Sequence, residues 1–201
     1  MYNIFRFLED KNISYAIIEG DNDYNGIKEE YVDFKQDIDI ILDCKPSRII
    51  NNLMSSNDFN YLENNSFFSI LDNLRVDLYF QNINVGYYHF LRVRPLAYKH
   101  KRISEQEYVI YQLIDPLIKF SKYEERHKHR LRAYFEREEN QESIREALSS
   151  IIGDTLAKYL IYKILDNDFA LSLLFIKRCK FRMLFINGNF VRMIKSRIFR
   201  W

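Results

Sequence analysis

Asp37, Asp39 and Asp77 are the residues whose types and spacing could do chemistry. In "FKQDIDIILDC", residues 34–44, two acids alternate with Ile38 and Ile40 in what otherwise reads as a buried strand. Asp is a poor strand former, so the alternation calls for a reason. Successive strand side chains point to opposite faces, which puts Asp37 and Asp39 together on one face, about 6.5–7 Å apart. At an effective dielectric near 20 their repulsion is on the order of 2–3 kcal/mol.

A third acid breaks an apolar strand in the same way. In "LRVDLYF", Asp77 lies between Val76 and Leu78. Three Asp on neighbouring strands converge at little cost only if cations occupy the cluster. Mg²⁺ takes oxygen ligands and is commonly held by one or two carboxylates together with substrate phosphates. Paired ions polarise a phosphoryl group and activate the attacking oxygen. The chemistry expected is therefore divalent-metal-dependent phosphoryl or nucleotidyl transfer, with Mg²⁺ or Mn²⁺ as cofactor. The competing reading is the wet face of an edge strand.

The elements that must position these acids follow from patterning. A short amphipathic helix is expected over residues 3–11, before a strand "ISYAIIEG" running into Gly20. A polar segment then leads to the strand 37–42. Pro46 suits the first turn of a helix whose apolar face is Ile49, Ile50, Leu53 and Met54. "SFFSILDNLRVDLYF" reads as two strands about an Asp72-Asn73 turn, and a further strand is expected near residues 85–92. From Ser104 the pattern turns helical, with "SEQE" as a capping box. Helices fit residues 105–122 (with Pro116 as a kink or break), 124–137, 141–152, 154–166 and 168–186. Gly153-Asp154 and Asp166-Asn167 mark stops and starts. The fold class expected is α+β: a mixed sheet with flanking helices over residues 1–103, then an all-α region over 104–201 with a basic aromatic tail.

Composition sets the outer bounds. The chain has 201 residues and a net charge of only +2, but the charge is unevenly spread. Residues 1–84 carry 7 Lys+Arg and 15 Asp+Glu, whereas residues 85–201 carry 23 and 13. That division points to two functional units. Only 5 Gly and 3 Pro argue against long linkers. The two cysteines, Cys44 and Cys179, form no spaced metal or disulfide framework, so a reducing, cytoplasmic setting is expected. Glu9 and Asp10 arrive too early for a signal-peptide core, and no apolar run reaches the ~18–20 residues needed to span a bilayer.

Taken together, the strand ending at Gly20, Asp37-Ile38-Asp39-Ile40 and Val76-Asp77-Leu78 resemble the nucleotidyltransferase superfamily, the polymerase-beta-like fold. The closest flavour is the small nucleotidyltransferase-like proteins of bacterial capsule and O-antigen polysaccharide clusters. "YVIYQLIDPLIKFSKYEERHKHRL" is similar to their helical region, on composition more than on motif. The resemblance implies that Asp37 and Asp39 hold the ions and that Asp77 completes the site or activates the acceptor hydroxyl. It implies that Gly20 lets the backbone approach nucleotide phosphates. A nucleotide or nucleotide-sugar donor and a sugar or glycan acceptor follow as partners. The family has a small phosphate-binding residue where this chain has Asp21, and Asp23 lies nearby. Those acids support a second reading, a catalytically degenerate binding scaffold at the membrane. A third is a toxin–antitoxin-type enzyme acting on RNA or protein.

The basic half offers further candidates. "RVRPLAYKHKR" holds Arg92, Arg94, Lys99, Lys101 and Arg102, which could steer a phosphorylated substrate or form a solvated face. His127 and His129 are two apart in a helix and so point to different faces, which argues against a metal pair. After Asp168 the chain carries no acid, while eight basic residues from Lys177 to Arg200 interleave with Phe175, Phe181, Phe185, Phe190, Phe199 and Trp201. That mixture suits an interfacial helix on anionic lipid at the inner membrane face, or a final helix whose aromatic side packs on the domain. Nucleic acid is the least favoured partner.

Overall fold

In the computed structural model, residues 3–19, 37–95, 102–137 and 139–198 are described. The fold is α+β: a mixed five-stranded sheet with flanking helices, followed by an all-helical region. The chain divides into two compact units, one running to Ile83 and taking back Arg92–Ser104, the other made of Asn84–Leu91 and the chain from Glu105 onward.

The first unit begins with α1 (Asn3–Asp10), whose Ile4, Phe5 and Leu8 are buried. Strands β1 (Tyr15–Glu19), β2 (Asp37–Leu42), β3 (Phe59–Tyr61), β4 (Ser66–Ser69) and β5 (Leu74–Phe80) form one sheet in the order β1-β2-β5-β4-β3. β1 runs antiparallel to β2, β2 parallel to β5, and β4 antiparallel to both of its neighbours, β5 and β3. The β2-to-β5 crossover contains a 3₁₀ turn at Pro46–Arg48 and α2 (Ile50–Met54). Pro46 opens that turn as expected, but only Leu53 of α2 is fully buried and Met54 is 55% exposed.

Alternation along β2 and β5 sends one set of side chains to the core and puts the acids on the other face, where Ile41 and Ala16 are also buried. Ile38, Ile40 and Leu42, with Val76 and Leu78, join α1, Ile49 and Leu53 in one apolar core. Phe5 of α1 stacks on Tyr15 of β1 at 5.2 Å, and Phe7 meets Phe59 edge-on at 5.7 Å, so aromatic contacts reinforce the area buried. Asp72, in the β4–β5 turn, accepts from the Asn3 N–H at 2.8 Å and from Ser69 Oγ at 2.7 Å. Its carboxylate thus sits at the N-terminus of α1, where negative charge is favourable. The far edge of β1 is paired as well: Ile103 N–H donates to the Ile17 carbonyl at 3.1 Å.

The second unit contains the tip of a hairpin, β6 (Asn82–Val85) and β7 (Tyr88–Arg92), and six helices. A single strand was expected there; Gly86, at φ 59, turns the chain tightly enough for two. The helices are α3 (Glu105–Lys119), α4 (Glu125–Phe135), α5 (Glu139–Ile152), α6 (Asp154–Leu165), α7 (Leu173–Leu184) and α8 (Asn189–Ile198).

α3 is buried without a break from Tyr108 to Leu117, as a central helix should be, and packs against α4 and α5. Pro116 lies inside it, at a position where proline has no backbone N–H to contribute to the helical ladder. The helix nevertheless continues to Lys119. α7 starts five residues later than the pattern implied, because Ser172 is its N-cap, accepting from Phe175 N–H at 3.2 Å. Asn187 (φ 48) and Gly188 (φ 73) then separate α7 from α8.

Candidate functional site

The face of the sheet opposite the core carries the acids. β2 and β5 pair in parallel with Asp37 opposite Arg75 and Asp39 opposite Asp77. Register partners share a face, so all three sequence-predicted aspartates lie on the non-core side, with Asp39 and Asp77 about 4.8 Å apart at Cα. Each is partly buried.

Two further strands extend that row. On β4, Ser66 pairs with Asp77. On β1, Glu19 pairs with Asp39, because the register shifts between Ile17 and Glu19. Strict alternation from Tyr15 and Ile17, both in the core, would send Glu19 into that core. The bulge re-aims it to the acidic face, a common use of bulges beside functional sites. The row across four strands is therefore Glu19, Asp39, Asp77, Ser66.

One cation already stands among these acids. Arg75 Nε donates to Asp77 Oδ1 at 2.8 Å, and its terminal nitrogen donates to Ser66 Oγ at 3.0 Å. Asp77 foremost, then Asp37 and Glu63, hold the Arg75 guanidinium still more firmly in its charged form. The pair is only partly shielded, with side-chain exposures of 45% for Arg75 and 24% for Asp77. Arg75 could have been found from sequence, since it lies two residues before Asp77 and must share its face.

The donor set is all oxygen, which is what a hard divalent cation takes, and two carboxylates in register suit Mg²⁺ completed by substrate phosphates. Among the described residues no group of three acid, His or Cys side chains closes around a point that could hold an ion. What the geometry offers is thus the Asp39–Asp77 pair, with Asp37 and Glu19 on either side and Arg75 bonded to Asp77. Gly20, Asp21 and Asp23, expected at the phosphate-binding turn, lie outside the described residues, as do Lys99 and Lys101.

The remaining candidates separate. His127 is buried and His129 exposed on α4, so the two do not meet. Arg92 and Arg94 are exposed. Cys44 and Cys179 are buried free thiols, and burial pushes Cys179 up to about 12, far from a nucleophile's range. In the tail, Phe175 packs inward with Ile176, Cys179 and Met183, but Phe181 and Phe185 are 60% and 64% exposed. Among the described residues no helix is long and apolar enough to cross a membrane.

A paired-carboxylate face on a mixed sheet is therefore the chemical feature that this chain presents. No family model, curated protein or solved structure gives a significant match to it.

Proposed function

We propose that the acidic face of β1, β2 and β5 is the metal site of a phosphoryl- or nucleotidyl-transfer enzyme working in cell-surface polysaccharide assembly. The observation that supports this reading is the register that sets Asp39 against Asp77, with Asp37 on the same face. In the proposed site Asp37 and Asp39 hold Mg²⁺, which supplies charge neutralisation at the phosphates. Asp77 completes the site or takes the proton of the acceptor hydroxyl as its oxygen attacks phosphorus and the bond to the leaving group breaks. A nucleotide or nucleotide sugar is the proposed donor and a glycan the proposed acceptor. A lipid-linked acceptor would put the work at the inner face of the cell membrane.

Mn²⁺ is the probe for the site. Titration followed by paramagnetic resonance should show binding to the intact protein and its loss in Asp39→Asn and Asp77→Asn, with melting curves unchanged. Asp58→Asn, on an exposed acid outside the sheet, should bind as the parent does. Equal Mn²⁺ binding in all four proteins rules the site out. Release of pyrophosphate or nucleoside diphosphate across a nucleotide and sugar panel then tests turnover.

A second reading, a binding scaffold without turnover, is favoured by the Arg75–Asp77 bond. A guanidinium bonded to the third carboxylate can neutralise the acids in place of a metal ion. Nucleotide binding without product release across the panel supports the scaffold.

A further inference from the structure

α8 is turned the opposite way from an ordinary surface helix. Its one fully buried residue is Asn189, a polar side chain. The amide donates to the His89 carbonyl at 3.0 Å and to the Met183 carbonyl at 2.7 Å, and accepts from the His89 N–H at 2.6 Å. One turn on, Arg192 meets His89 Nδ1 at 2.8 Å. At 3.6 residues per turn, Asn189, Arg192 and Ser196 fall on one side of the helix. α8 is thus fastened to hairpin β6–β7 by its polar side.

Its apolar side is left outward. Phe190, Val191, Ile194 and Ile198 fall within an arc of about 100° on the opposite side. They are 44%, 53%, 38% and 60% exposed. Exposed Arg197 and Lys195 border that stripe on its two edges. The stripe continues through Phe185, which caps the C-terminus of α7, stacks on Phe190 at 5.9 Å and meets Phe181 of α7 at 5.1 Å. Exposed Lys177, Arg178 and Arg182 stand beside those rings. A groove of about 970 Å³ opens there against the α5–α6 turn, lined by these three cations and by no acid.

We infer that the outward face of α7 and α8 docks on an anionic lipid bilayer. The occupant follows from charge complementarity: from Phe169 to the C-terminus the chain has eight basic residues and no acid. An apolar ridge bordered by long cationic side chains matches the headgroup–acyl boundary, where rings and aliphatic side chains enter the lipid and Lys and Arg reach the phosphates. A second copy of this ridge would bring like charges together, and a nucleic acid would leave Val191, Ile194 and Ile198 without apolar contact. The inference gives the proposed peripheral location its surface, but it stands on α7 and α8 alone.

Co-sedimentation of the full chain with vesicles of phosphatidylcholine, with and without ~30% phosphatidylglycerol, tests it. Binding should appear on the anionic vesicles, be at least about tenfold weaker on neutral ones, and fall as salt rises. Phe185→Ser/Ile194→Ser/Ile198→Ser and, separately, Lys177→Glu/Arg178→Glu/Lys195→Glu should each weaken it by about tenfold or more. All six residues are exposed, so the thermal transition should stay in place. Leu71→Ser, at an exposed apolar residue of the first unit, should bind as the parent does. Asp39→Asn should also bind unchanged, so failure of the acidic site and failure of lipid docking are read separately. No vesicle binding overturns the inference, and so does equal binding to both vesicle types. It also fails if both triple variants retain affinity, or if Phe185→Ser/Ile194→Ser/Ile198→Ser instead abolishes a dimer or RNA binding.

Discussion

Arg75 and Asp77 lie two residues apart on β5, share the acidic face of the sheet, and bond Nε to Oδ1 at 2.8 Å. The guanidinium and a divalent cation would compete for the same carboxylate. Arg75→Met should therefore tighten Mn²⁺ binding by roughly fivefold, the equivalent of one partly exposed ion pair worth about 1 kcal/mol. Stability should change by less than about 1 kcal/mol, because so exposed a pair contributes little to folding. Calorimetric titration with Mn²⁺ reads the first effect and urea unfolding the second. Weaker binding in Arg75→Met would show that the arginine serves ligand binding itself.

Asn189 takes the place of a neighbouring strand for His89, meeting both its N–H and its carbonyl. Asn189→Ala leaves those part-buried backbone groups and the buried Met183 carbonyl without their partner. The expected cost is about 2–4 kcal/mol, since buried polar groups left unsatisfied lose the full price of desolvation. Asn189→Asp keeps the acceptor but loses both donors, and should also destabilise. Urea midpoints of the two variants measure this; a shift under about 0.5 kcal/mol in both would mean that the amide does not hold α8 to the hairpin.

Much of the fold follows from local pattern, and the exceptions have physical causes. β2 is legible to the residue, because Asp and Ile alternate over its first four residues and Ile41 and Leu42 continue it as a buried apolar run. The Asp72-Asn73 turn is legible because Asn73 is a natural residue for positive φ, found here at 52°. Glu19 is not, since its placement depends on a bulge that no spacing announces. β3 is three residues long, too short for any period. In the site, the three aspartates are legible as members of one sheet face because each breaks an apolar strand, while Arg75 carries no such signal, since a basic residue is ordinary on a partly exposed strand face. α8 is the instructive case: its apolar residues have helical spacing, yet spacing alone cannot tell an inward stripe from an outward one.

Gly153 joins α5 to α6 with φ 89 and ψ 148, a region that only glycine enters without strain. An added Cβ would meet nothing within 4 Å, so the cost of Gly153→Ala is one of backbone alone. The expected destabilisation is about 1–3 kcal/mol. Gly153→Ala and Gly153→Ser should cost nearly the same, because neither side chain clashes. Thermal unfolding of the pair checks this; a cost that grows with side-chain size would point to packing instead.

Burial first, and the Arg192 guanidinium second, lower the His89 pKa to about 4, against 6.5 for the free side chain. Protons therefore bind the unfolded chain more readily than the folded one between those values. Above pH 6.5 both states are neutral at this residue and stability does not depend on it. As pH falls from about 6.5 to about 4, the unfolded state gains protons that the folded state refuses, and stability is lost. The partly exposed ring calls for a discounted magnitude, on the order of 1–2 kcal/mol. His89→Gln should abolish that part of the pH dependence, and Arg192→Gln should move the His89 titration upward toward 6.5. Urea unfolding from pH 4 to pH 7 and the ring-proton titration of His89 read the two effects. Equal slopes with and without the histidine would show that some other group carries the acid sensitivity.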